Sequence, residues 1–198
     1  MNEITDAVYQ NIKATYLQQI VVPAHRPSKQ YLLCPIGLVG AGKTTVVKPL
    51  AEKLSLVRIS GDEVRKLFKE SGYGYERVYE FAFEIIRQFI SEGFSICIDS
   101  DCAGKIEQIK KEVASRDLTL VWIHINPPES FIINKLSNLT PNWLGTADEM
   151  VANYYERKSL HKGIALEYTA VFDTSLPNIQ KQITSAASAI EKKVGIMY

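Results

Sequence analysis

The chain is predicted to be a doubly wound α/β domain with a helical extension at its start. Two observations carry this expectation: from residue 30 onward short apolar runs alternate with helical patterns, and a glycine-rich turn joins the first run to the first helical pattern. With 198 residues, 46% hydrophobic and 10% aromatic, there is enough apolar material for a sizeable core, and disorder as a class is excluded.

Taken in order, residues 2 to 20 space Ile4, Val8, Ile12, Tyr16 and Ile20 four apart, which gives one apolar stripe and predicts a leading helix. That stripe is expected to pack on the chain's own domain, with docking of a protein partner as the alternative. Pro23 and Pro27 then make an extended connector, so residues 1–29 read as helix plus connector and 30–198 as the main domain. The predicted strands are 31–36, 56–60, 95–99, 118–125 and 170–173. Helices are expected at 43–54, 62–70, 75–91, 105–116, 128–138 and 148–161, with a closing helix near 177–193. Pro49 inside the first of these removes one N–H and is expected to bend it.

Between the first strand and its helix, Gly37-Leu38-Val39-Gly40-Ala41-Gly42-Lys43-Thr44 fits the phosphate-binding pattern G-x-x-x-x-G-K-[ST] at every specified position. Glycine lets backbone N–H groups converge on anionic oxygens, and the helix that follows points its positive end at the same place. Lys43 can reach β- and γ-phosphates, while the Thr44 hydroxyl can ligate Mg²⁺. The sequence therefore reads as a nucleotide binder.

Two further acids fall at the carboxyl ends of predicted strands, the edge where ligands bind in such sheets. Asp62 and Arg65 stand three apart at a helix start after strand 56–60. A carboxylate there can orient a hydroxyl and take its proton, and a guanidinium can grip an anion. The same residues equally suit a plain helix start, since Ser60 and Glu63 form a capping box. Asp99 ends strand 95–99 and suits Mg²⁺, with Asp101 second for that role. Tyr73 and Tyr75 are the better candidates for stacking on a ring, ahead of Trp122 and Trp143. His124 is expected in the core, and His25 and His161 on the surface.

Composition narrows the setting. With 23 basic against 22 acidic residues there is no basic stripe to draw in nucleic acid or an anionic membrane. Cys34, Cys97 and Cys102 match no zinc spacing and read as reduced core thiols. No apolar run is long enough to span a bilayer and the start lacks a targeting pattern, so a cytoplasmic location is expected.

Read together, Gly37 to Thr45, the segment Ser60-Gly61-Asp62-Glu63-Val64-Arg65, the run Glu92 to Asp99 and Phe172-Asp173-Thr174-Ser175 resemble the small phosphate-loop kinases over residues 30 to 193. The nearest groups are AAA-domain predicted kinases, polynucleotide 5′-hydroxyl kinases and zeta-toxin-like sugar kinases, with gluconate and adenylylsulfate kinases more remote. The resemblance implies a three-layer α/β/α phosphate-loop NTPase fold with a five-stranded parallel sheet in order 2-3-1-4-5 and a lid at about 127–147. It implies MgATP on Gly37, Leu38, Val39, Gly40, Ala41, Gly42, Lys43, Thr44 and Thr45, with Lys135 reaching in from the lid. Asp62 would be the general base, Lys43 and Arg65 its catalytic companions, and Thr44 with Asp99 the metal ligands. The segment from Asp173 to Ser175 would flank adenine. The implied reaction moves the γ-phosphate of ATP to a hydroxyl of a small molecule or of a nucleotide or nucleic-acid end. One departure bears on this: no arginine occurs from 117 to 156, where relatives carry lid arginines, leaving Lys135 and then Arg157 and Lys158. A nucleotide-binding switch or scaffold, and a zeta-toxin-like sugar kinase, therefore stay open as alternatives.

Overall fold

The computed structural model describes residues 4–195, so the first residues of the predicted leading helix lie outside the described ones. Helix α1 (Asp6–Gln19) is followed by an extended connector, and then strand β1 (Tyr31–Ile36) and helix α2 (Lys43–Lys53) flank the glycine-rich turn. Next come β2 (Val57–Ser60), α3 (Gly61–Glu70), α4 (Val78–Ser91) and β3 (Ile96–Asp99). The second half holds α5 (Ile106–Ala114), β4 (Thr119–Ile125), α6 (Glu129–Ser137), α7 (Ala147–His161), β5 (Ala170–Phe172) and α8 (Ile179–Val194). A single 3₁₀ turn, Ala103–Lys105, leads into α5. Helix α2 runs through Pro49 without a break. Helix α4 starts three residues later than 75, because the chain first turns at Gly72-Tyr73-Gly74 and the Val78 amide bonds the Tyr75 carbonyl (3.2 Å).

All five strands pair in parallel in the order β2-β3-β1-β4-β5, the order the resemblance implied. Period-two alternation sends strand residues to opposite faces. Leu32, Cys34 and Ile36 join an aromatic-rich core with α1, α3, α4 and α5, whereas Tyr31 and Leu33 join an aliphatic one with α2, α6, α7 and α8. Within the first core Phe81 packs edge-on against Tyr9 and Phe68, with ring centroids 5.3 and 5.4 Å away. The leading helix thus uses its stripe on its own domain: Tyr9, Ile12 and Tyr16 are buried there. All three cysteines are free and buried.

Pro35 in the central strand runs against the usual rule, since a proline there forfeits a ladder bond. The register resolves it. Strand β1 pairs with β4 along its whole length, but with β3 only at Leu32 and Leu33. Beyond Leu33 the two strands part, and the Pro35 carbonyl accepts instead from the Cys102 amide (3.0 Å). The parting opens the carboxyl edge of the sheet beside the glycine-rich turn. Among the described residues no helix is long and apolar enough to cross a membrane.

Candidate functional site

Gly40 and Gly42 both take positive φ, 79° and 85°, which bends residues 37–42 into an arch ahead of α2. A side chain at Gly40 would meet Leu136 and Ile132 of α6 at 2.9–3.0 Å, so the arch is backed directly by that helix. In such an arch successive N–H groups face one concavity, and the first-turn amides of α2 point the same way. Lys43 folds back across it, its ammonium donating to the carbonyls of Gly37 and Leu38 (3.0 Å each). Burial lowers the pKa of Lys43, against the opposing pull of Asp101, Asp62 and Asp99. The charges of three carboxylates thus act on this one cation. Thr174, after β5, braces the arch from the far side by donating to the Ala41 carbonyl (2.7 Å).

The Thr44 hydroxyl donates to Asp99 Oδ1 (3.1 Å). Two hard oxygens at this separation fit Mg²⁺, which would complete its shell with water and phosphate oxygens. Asp99 is 4% exposed, and burial pushes its carboxyl above the ordinary range, opposed by Arg58 and by Thr44. The other oxygen, Oδ2, accepts from Arg58 (2.6 Å), whose guanidinium also holds Glu63. Arg58 escapes sequence reasoning because its link to Asp99 follows from register: Ser60 lies opposite Asp99, and Arg58 one diagonal step away on β2.

Asp62 and Arg65 sit in the first turns of α3, where the Ser60 side chain caps the helix by accepting from the Glu63 amide (3.3 Å). They pair with each other at 2.6 Å, Asp62 with its side chain 56% exposed and Arg65 with 36%. Both are therefore held loosely and open to solvent. From the end of α3, Lys69 donates to the Trp143 carbonyl (2.8 Å), linking the α3 corner to the segment between α6 and α7. Lys135 is exposed on α6, and Arg157 is exposed on α7. Tyr73 packs partly against the aromatic core, Tyr75 is exposed, Trp122 is buried in the core and Trp143 is half-buried.

One expectation is corrected here. His161 is not a surface residue: only 12% of its side chain is exposed, and Nε2 lies 3.0 Å from Asp101 Oδ2. The last turn of α7 carries it over the sheet edge, a path invisible in sequence across 60 positions. Asp101 Oδ1 in turn accepts from the amides of Gly37 (3.2 Å) and Ala103 (3.3 Å). Burial raises the Asp101 pKa, but the His161 bond and charge, Lys43 and the Gly37 amide outweigh it and hold the carboxyl below its usual range. Asp101 is thus a buttress of the arch. His124 is half-buried and stacks on Tyr168 (4.7 Å between centroids), and both line a cavity of about 380 Å³ beside Leu38 and His161.

Residues 32–130 match the model of a family described as AAA domain. Among solved structures, a gluconokinase from Sinorhizobium meliloti 1021 is similar with a TM-score of 0.57 at 16% identity, over 86% of this chain and 96% of that one. The APS kinase of Mycobacterium tuberculosis, in complex with AMPPNP and APS, gives 0.59 at 12% over 83% and 99%. A structure from the PezAT chromosomal toxin-antitoxin system of Streptococcus pneumoniae gives 0.56 at 16% over 100% and 91%. At these identities the likeness is one of fold. No protein of curated function matches the chain.

Proposed function

The chain belongs to the AAA domain family, and from that premise we propose that it is an ATP-dependent phosphotransferase that moves the γ-phosphoryl group of MgATP to an alcohol. The observation that carries this reading is the meeting, on one sheet edge, of the Lys43 arch, the Thr44–Asp99 pair and the charge of Asp62. The similarity of fold to solved gluconokinase, APS kinase and shikimate kinase structures supports it.

In this reading the residues divide the work. The amides of Gly37 to Thr45 and the Lys43 ammonium hold the phosphates, with Lys43 exchanging its two carbonyl partners for phosphate oxygens. Thr44 and Asp99 would hold Mg²⁺, which supplies charge neutralisation at the phosphates. Asp62 orients the acceptor hydroxyl and takes its proton as the new oxygen–phosphorus bond forms and the bond to the bridging oxygen of ADP breaks. Arg65, released from Asp62, grips an anionic or polar group of the acceptor. Thr174 and its neighbours flank the base. The ATP pool this requires fits a cytoplasmic setting.

A second reading, a nucleotide-binding switch or scaffold that transfers nothing, is favoured by one observation: no arginine lies between 117 and 156, and Arg58 is already committed to Asp99 and Glu63. A lid arginine is worth about 10³ to 10⁵ in rate. A toxin-like sugar kinase whose leading helix docks a partner is less well supported, because α1 spends its apolar stripe on its own core.

The test is transfer of labelled γ-phosphate from MgATP across sugars, nucleosides and 5′-hydroxyl oligonucleotides, comparing wild type with Asp62→Asn. Label appearing in one acceptor class, lost in the variant, establishes the kinase and names the class. Nucleotide binding with no labelled acceptor moves the switch reading ahead.

A further inference from the structure

We propose that Tyr16 of the leading helix is a positioning residue for Asp62, so that α1 forms part of the acceptor side of the site; this rests on the reading of Asp62 as the carboxylate facing the acceptor. Tyr16 is fully buried, 0% exposed, and its hydroxyl engages both backbone groups of one residue. The Ser60 amide donates to Tyr16 Oη (2.8 Å), and the hydroxyl donates to the Ser60 carbonyl (3.4 Å). Ser60 is the hinge of the acceptor corner: the last residue of β2, the cap of α3, and two positions before Asp62.

Strand β2 lies at the sheet's edge with β3 as its one strand neighbour, so the outward Ser60 amide has no ladder partner, while its carbonyl, at the cap of α3, serves the first helical turn. Left dry and unpaired, that amide would cost free energy and let the corner drift. Tyr16 supplies the bonds from outside the sheet. Burial pushes its phenol well up, keeping it a neutral group that both donates and accepts. Two further contacts hold the tyrosine in register. Phe81 lies 5.9 Å from its ring and 5.4 Å from Phe68 of α3. Glu84 of α4 accepts from Lys13 (2.6 Å) as well as from Tyr9 (2.7 Å), so α1 stays tied to α4 when the Tyr9 hydroxyl alone is removed. By contrast, the Asp62 side chain, 56% exposed, has little packing of its own to aim it. Its direction is inherited from the backbone at Ser60.

The experiment compares full-length wild type, Tyr16→Phe and Tyr9→Phe. The Tyr9 variant loses a hydroxyl that holds the same helix but not Ser60. Three properties are read: amide hydrogen exchange, binding of MgAMPPNP, and turnover with whichever acceptor wild type labels. For Tyr16→Phe we expect exchange at residues 60–63 to rise about tenfold or more. Turnover should fall about tenfold, as for a reacting group displaced by a fraction of an ångström, with MgAMPPNP affinity kept. Tyr9→Phe should leave both exchange at 60–63 and turnover near wild type. Protected amides with wild-type turnover in Tyr16→Phe overturn the proposal, as does an equal effect of Tyr9→Phe, which would mean general loosening of α1. If wild type labels no acceptor, the kinase reading fails by itself and the exchange arm decides alone: faster exchange confined to 60–63 retains Tyr16 as the residue that sets the corner, and unchanged exchange overturns it.

Discussion

The two sides of the sheet edge, one proposed for the nucleotide and one for the acceptor, are built in opposite ways. The arch of residues 37–44 is tied by Thr174, Asp101 and Lys43 and backed by Ile132 and Leu136 of α6. Across the parted strands, Asp62 and Arg65 have mainly each other, in solvent. In the proposed reading the phosphate chain, common to every turnover, is met by a rigid cradle prepared in advance. In the same reading the acceptor is met by side chains on a helix start, where changes cost little stability.

The strongest way to break this comparison is Lys43→Ala. Removing the ammonium from the arch should lower transfer by about 10²–10³ or more, to background. Normal turnover would mean that the arch is not where phosphates sit. Asp62→Asn should lose about 10²–10⁴ in transfer while MgAMPPNP affinity, measured by calorimetry, stays put. A joint loss of affinity would erase the division between the two sides. Thr174→Val removes one brace of the arch and should weaken nucleotide binding by about 1 kcal/mol, a several-fold rise in Kd, without touching acceptor KM.

The smallest effect concerns α1. Lys13 lowers the Glu84 carboxyl below its ordinary 4.5, outweighing burial and joined by the Tyr9 hydroxyl. A depressed carboxylate contributes stability above its unfolded pKa and loses it as pH falls through the folded one. The window is therefore below about pH 4.5, and since Glu84 is 40% exposed the contribution is at most about 1 kcal/mol. Urea titrations at pH 7 and pH 4 should differ less in Glu84→Gln than in wild type.

What could be read from residues alone follows the same divide. The arch is a contiguous string whose glycines and lysine are dictated by backbone geometry, and the strands announce themselves by burial on both faces, as in Tyr31 to Ile36. The contacts that complete the edge are set by register and by helix trajectories. Arg58 meets Asp99 because β2 pairs with β3 at one offset and not its neighbour. His161 reaches Asp101 because α7 ends over the sheet. Tyr16 meets Ser60 because α1 packs against α3, whose cap is Ser60. No local spacing encodes any of these. Pro35 is harmless only because β1 parts from β3 beyond Leu33.

The hydroxyl of Tyr16 has one more effect. An open parallel sheet ends in strands whose outward backbone is a template for another chain. Here one border, β5, is three residues long, and the other, β2, is four residues long with its last peptide groups already taken by a phenol. Neither border offers a long run for strand-by-strand growth. The helix proposed to set the acceptor corner would therefore also guard the protein against edge-to-edge aggregation, and its removal should reveal itself as self-association on concentration.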